Sequence, residues 1–279
     1  MKRTACCLAA IALSLWAMAQ RAIPVSRDYD FALYLIDNDL KKDAAKLIAG
    51  DYAESDTLLF LRGWIAYQMK ELETAKTCLY SVPGNSVFYE KSFFYANAVA
   101  AHTGDFQSPA QALEKYDGPF GELCRLQTAG LALLRDDAAA YREAASGFKY
   151  SDYALAQPEL ALDAIYKRRY ETRPKSPALA AAASAVVPGL GKIYAGATGE
   201  GISAFLLTGA MGAICAEHWI KDGASDWKTI VPGLLCAVLY IGNIYGSYVS
   251  VSIYNTKLKD AQNTAVLYNI HIPLRSVFK

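Results

Sequence analysis

Histidine and cysteine are scarce in this chain, with three and six among 279 residues. His102, His218 and His271 stand far apart, and Cys78, Cys124, Cys215 and Cys236 occur singly, without the close pairs that zinc or redox motifs use. The scattered cysteines read as small buried apolar residues, with a Cys215–Cys236 contact left open. No metal or cofactor site is assigned. An excess of charge is also lacking: 28 basic residues face 27 acidic ones, which argues against a nucleic-acid partner. The paired carboxylates Asp136 and Asp137 have no base, nucleophile or metal cluster beside them and read as a solvated turn, so no catalytic residue is assigned and no enzyme is expected.

Apolar residues, by contrast, are plentiful. They make up 53% of the chain, mean hydropathy is +0.12, and most of the excess follows Pro177. At about 100–200 residues per domain, the length accommodates two domains, and the asymmetry implies a soluble half and a membrane half. The first nineteen residues carry Lys2 and Arg3, an apolar run from Ala5 to Trp16, then Ala17, Met18 and Ala19. These are the parts of a secretory signal peptide over 1–19, cleaved after Ala19, with an uncleaved anchor as the competing reading. Cys6 and Cys7 come too early for a lipoprotein signal.

The domain over 20–150 is helical by period, and no strand-like alternation persists. Blocks are predicted at Asp30–Leu47, Asp56–Met69, Leu72–Ser81, Val87–Ala101, Pro109–Tyr116, Gly121–Leu134 and Ala138–Phe148. Between them lie turn signals such as Pro83-Gly84-Asn85, Gly104-Asp105 and Asp136-Asp137. Within Leu61–Leu79, Gly63 and Tyr67, a turn near Lys70, and then Ala75 resemble a tetratricopeptide repeat. Small and apolar residues return near Ala96–Ala112 and Ala129–Ala140, roughly the 34 residues apart that this family uses. The later copies lack its tryptophan and glycine signature, and an irregular helical bundle is the alternative. The resemblance implies a concave surface for a protein partner. The aromatic cluster Phe88, Tyr89, Phe93, Phe94 and Tyr95 reads first as helix-to-helix core and second as a lined peptide groove.

Residues 151–176 form a basic linker. A short helix from Glu159 to Tyr170 leads into Lys167, Arg168, Arg169, Arg173 and Lys175, a cluster placed to contact membrane lipid headgroups or to be a solvated linker. The membrane domain spans 177–255. Ala178–Val187 is half the length needed to cross about 30 Å of hydrocarbon, whereas Ile202–Trp219 and Ile230–Ile253 are spanning candidates. Between the short segment and the first span, Pro188, Gly189, Gly191, Tyr194 and Gly196 belong to the stretch PGLGKIYAG, read as a re-entrant Pro-Gly membrane turn. Gly212, Gly242 and Gly246 are small residues suited to close helix packing or a homo-oligomer. Asn243 is read as polar glue that bonds the broken backbone around Pro188. The tail, 256–279, contains AVLYNIHIPL, read as a short strand or a segment lying along the membrane, with docking onto the helical domain and disorder as equal alternatives.

The stretch PGLGKIYAG with Gly201, followed by YIGNIYGSY and Asn255, resembles the small two-transmembrane-helix domains of bacteria. It also resembles the carboxy-terminal region of bacterial repeat proteins found with the membrane-protein insertion efficiency factor. The likeness covers Ser176–Asn255 and departs at Lys192, where an uncharged polar residue is common. It carries no activity over to named residues. The expected fold is therefore all-α: a tetratricopeptide-like domain followed by a helical transmembrane hairpin. The expected role is a membrane-anchored scaffold at the bacterial inner membrane, with its helical domain in the periplasm; a small oligomeric membrane unit acting in transport or insertion is the alternative. The positive-inside tendency opposes this orientation, and a third crossing by Ala178–Tyr194 would send the tail inward.

Overall fold

The structure is a computed structural model that describes residues 28–50 and 52–278. The expected signal peptide and its cleavage site lie outside the described residues. Among the described residues there is no β-strand. The helices are α1 (Tyr29–Asp37), α2 (Lys41–Ile48), α3 (Asp56–Gln68), α4 (Leu72–Tyr80), α5 (Tyr89–His102), α6 (Gln107–Glu114), α7 (Gly121–Leu134), α8 (Ala138–Ala145), α9 (Ala156–Tyr166), α10 (Pro177–Val186), α11 (Leu190–Ala195), α12 (Thr198–Asp222) and α13 (Trp227–Val277). The chain divides into two compact units. One holds residues 28–164 together with 266–278, and the other holds 165–265.

In the first unit each helix from α1 to α8 packs on its neighbour in sequence, and α1, α3, α5 and α7 also pack in file. One turn recurs in four pairs. Asp39, Lys70, Gly104 and Asp136 each take a left-handed backbone, with φ of 62°, 64°, 85° and 57°. The N–H after each one bonds back five residues: Leu40 to Leu35, Glu71 to Ala66, Asp105 to Ala100 and Asp137 to Ala132. This is the Schellman closure, which satisfies the last carbonyls of a helix and reverses the chain. The turns fall 31, 34 and 32 residues apart. The first of them corrects the single block expected over Asp30–Leu47: Asn38 and Asp39, residue types that tolerate the left-handed region, split it into α1 and α2.

Local capping fixes the restarts. The Ser55 hydroxyl accepts the Leu58 N–H at 3.2 Å, Asp105 accepts those of Gln107 and Ser108, and Asp137 those of Ala139 and Ala140. Asp137 thus acts as a cap and Asp136 as the turn residue. Close packing of α3 on α4 depends on Gly63, where a Cβ would stand 2.8 Å from Leu79 Cδ2 and 3.1 Å from the Leu79 backbone N. Phe93, Phe94 and Tyr95 are buried core residues of α5.

The second unit begins with one π-helical turn, Lys167–Glu171, which ends the expected helix to Tyr170 early, at Tyr166. Helix α12, at 25 residues, extends about 37 Å at 1.5 Å per residue. Both α12 and α13 are long and apolar enough to cross a membrane. Helix α10, at ten residues, is not. The tail is not a strand: α13 runs unbroken to Val277.

Candidate functional site

Two places concentrate specific side-chain chemistry, one in each unit. In the first unit, a groove crosses α3, α5 and α7, and residues 266–278 of the same chain fill it. Val266, Ile270 and Leu274, four residues apart and so on one helical face, are all at most 1% exposed. Gly130 of α7 makes the room they need, since a Cβ there would lie 2.2 Å from Ile270 Cγ2. The Gln127 amide donates to the carbonyl of Phe94 at 3.1 Å and to that of Ile270 at 3.5 Å. Phe278 closes the end, with its ring centroid 5.0 Å from Phe120 and 5.9 Å from Phe94.

The wall on the α3 side is aromatic. Trp64 and Tyr67 stack at 5.2 Å, Tyr95 meets both edge-on, and the Lys91 ammonium lies 4.4 Å over the Trp64 ring. Into this wall comes His271, its Nε2 2.5 Å from the Tyr67 hydroxyl and its ring centroid 5.3 Å from that of His102. Burial, together with the charges of His102 and Arg275, pushes the His271 imidazole down to about 4. Burial also lowers His102 and raises Tyr67, against the pull of Arg275. Arg275 lines the same wall beside Tyr67 and Tyr95.

In the second unit the Pro-Gly stretch forms a packed turn. Val187 ends α10 in extended backbone, Pro188 follows, and Gly189 and Gly196 adopt left-handed φ of 88° and 99° on either side of α11. A Cβ at Gly189 would lie 2.0 Å from the Gly201 carbonyl oxygen, and one at Gly191 would lie 2.1 Å from that of Ala180. Only glycine permits either approach. A buried polar chain ties the turn to α13: the Gly191 N–H donates to Ser184 Oγ at 2.8 Å, Ser184 and Ser247 hydroxyls meet at 2.7 Å, and Ser247 donates to the Asn243 carbonyl at 2.8 Å. Ser184 and Ser247 were missed at the level of sequence, where single serines in apolar helices carry no distinctive pattern.

This network corrects the role expected of Asn243. Its backbone carbonyl ends the chain of bonds, while neither atom of its buried side-chain amide has a partner among the described residues. Tyr240 makes the side-chain bond instead, donating to the Ala185 carbonyl. Tyr194 staples the entry to the turn: its hydroxyl accepts the Ser176 N–H, and its carbonyl accepts from Lys175 at 2.8 Å.

The remaining candidates separate. Gly212 faces Cys236 at van der Waals distance, and Gly233 faces Cys215, so α12 and α13 touch through these small residues. The two thiols donate to opposite carbonyls, Cys215 to Thr229 and Cys236 to Thr208, and are not joined. Gly246 lies against Lys192, and Gly242 has nothing within 4 Å, so Gly242 packs against no helix among the described residues. Of the basic cluster, Arg169 bonds Gln262 and Asn263, and Lys175 lies 4.0 Å over the Tyr254 ring. Lys167, Arg168 and Arg173 are exposed.

No protein-family model, curated protein or solved structure matches this chain.

Proposed function

We propose that this protein is a membrane-anchored scaffold of the bacterial cell envelope, whose tetratricopeptide-like helix pairs bind a protein partner while the Pro-Gly hairpin unit holds them at the inner membrane. The observation that carries the reading is the fourfold recurrence of one helix–turn–helix closure, near the tetratricopeptide interval, in a chain that also has two helices of spanning length. Stacked pairs of this kind present extended surfaces suited to protein contacts.

The packing of the tail supports an orientation. Residues 266–278 belong to the same unit as 28–164, so both lie on one side of a bilayer, and the segment between them makes an even number of crossings. Two crossings, by α12 and by the part of α13 around 230–253, meet this requirement; a third by Ala178–Tyr194 does not. After export through the leader, the shared side is the periplasm. Exposed Lys167, Arg168 and Arg173 then lie where anionic headgroups are within reach.

The test is purification of the tagged full-length protein from its own membranes in mild detergent. A stoichiometric partner, lost when the aromatic wall is altered by Trp64→Ala, supports the scaffold. Recovery of the protein alone refutes it. One observation favours a second reading, a small oligomeric membrane unit acting in transport or insertion: open Gly242 and unpartnered Asn243 line a cleft of about 720 Å³ between α12 and α13. On that reading Gly242→Leu breaks an oligomer, whereas a purely monomeric anchor tolerates it.

A further inference from the structure

We infer that the groove across α3, α5 and α7 is a receptor for an amphipathic helix, and that the chain's own residues 266–278 hold it shut until a partner helix of the same pattern displaces them. The inference rests on the proposed partner-binding role and names the kind of partner. The seated segment displays what the groove selects. An aliphatic ridge at Val266, Ile270 and Leu274 is fully buried, and its central residue fits a hole that only Gly130 leaves open. One position beyond that residue, a ring nitrogen meets the Tyr67 hydroxyl. Anchors at i, i+4 and i+8 are how an amphipathic helix lies in an apolar groove.

The resident helix is also an imperfect ligand, and the defects tell what a better one would bring. Gln127 is 1% exposed, its amide N–H groups are engaged, yet its Oε1 has no hydrogen-bond partner among the described residues with the segment in place. A buried acceptor without a donor is a standing penalty, which a partner helix with a hydroxyl or amide donor facing Gln127 removes. At position 271 a residue that can acquire positive charge sits beside His102 and Arg275, where a neutral amide or hydroxyl would serve Tyr67 equally well. The partner is thus a helix with a branched aliphatic at the Ile270 position, aliphatics four residues before and after it, an uncharged hydrogen-bonding residue next to it, and a donor toward Gln127.

The experiment uses the full chain in detergent and a fluorescein-labelled peptide of residues 262–279 as the probe. Ile270→Asp in the chain releases the groove, and Gly130→Ala added to it obstructs the hole. The released chain is expected to bind the peptide at least tenfold more tightly than the wild type, and the doubly substituted chain at least tenfold more weakly than the released one. A peptide in which His271→Gln is made should bind the released chain more tightly than the native sequence. Equal affinity for wild-type and released chains overturns the inference. So does absence of binding to a released chain whose circular dichroism matches the wild type. A wild-type dimer dissociated by the peptide would mean that a second copy's helix fills the groove, and this too overturns it. A cellular partner captured equally by wild-type and released chains would leave the scaffold standing and sink this inference alone; peptide binding with no cellular partner would do the reverse.

Discussion

Acid should loosen the C-terminal helix from its groove. His271 is held neutral when docked, at about 4, against an ordinary value of 6.5, because burial strips water from the ring and His102 and Arg275 add cationic repulsion. A base whose pKa is lower in the docked state binds fewer protons there, so docking strengthens as pH rises and weakens as it falls. The contribution is intact above pH 6.5 and is lost progressively between 6.5 and 4. At full extent such a gap corresponds to about 3 kcal/mol. The ring is partly exposed, so screening reduces this to roughly 1–2 kcal/mol, or about a 5- to 30-fold loss in the docked population. His102, which burial also lowers, adds to the effect in the same direction. The assay is hydrogen exchange of residues 266–278 in the detergent-solubilised chain at pH 7.5 and pH 5, corrected for intrinsic rates, with NMR titration of the His271 ring alongside. Protection should fall about tenfold, and His271→Phe should remove most of the difference, leaving the smaller share that His102 carries. A ring that titrates near 6.5, with protection unchanged between the two pH values, would refute the reasoning.

Other substitutions test separate features. Gly130→Ala should destabilise the first unit by about 1–3 kcal/mol through overpacking against Ile270, read from urea unfolding. Ser184→Ala removes the middle of the buried polar chain and should cost about 1–3 kcal/mol by leaving the Gly191 N–H without its acceptor, whereas Ser252→Ala, on the exposed side, should be neutral; thermal unfolding in detergent distinguishes them. Lys70→Gly should raise the melting temperature slightly, because a left-handed residue with a side chain costs about 1–2 kcal/mol and glycine does not bear that strain, while Lys70→Val should lower it.

Much of the helical half was legible because its signals are local. The turns at Lys70, Gly104 and Asp136 and the boundaries of α7 rest on capping residues and apolar period, which act over a few neighbours. Asp39 was lost because the apolar period runs straight across it, and a single Asn-Asp pair is a weaker stop than glycine. The Pro-Gly turn was visible as a stretch, but not the reason for its glycines: Gly189 and Gly191 meet the carbonyls of Gly201 and Ala180, and such approaches leave no trace in spacing. Asn243 was given the bonding role that Ser247 and Tyr240 perform, since polarity in an apolar helix marks a candidate without saying which way its side chain points. The tail was least legible of all. AVLYNIHIPL satisfies both a strand and a helix pattern over so short a run, and the choice is made by Gln127 and Gly130, more than 130 residues earlier.

That separation bears on how the fold is completed. The core of the first unit is not finished by residues 28–164, because Val266, Ile270 and Leu274 fill the space beside Gly130. Every residue of the second unit lies between these two pieces, so the groove stays open until the whole of 165–265 has been traversed. Contacts of such high sequence separation carry a loop-closure cost that local helix pairs do not. The local Schellman turns and caps let the paired helices form first, and the groove then waits, apolar and lined by aromatics, for residues 266–278. A segment that fits an apolar groove closely yet leaves a buried acceptor unsatisfied, and that closes only after so long a loop, is the place where the proposed partner helix competes.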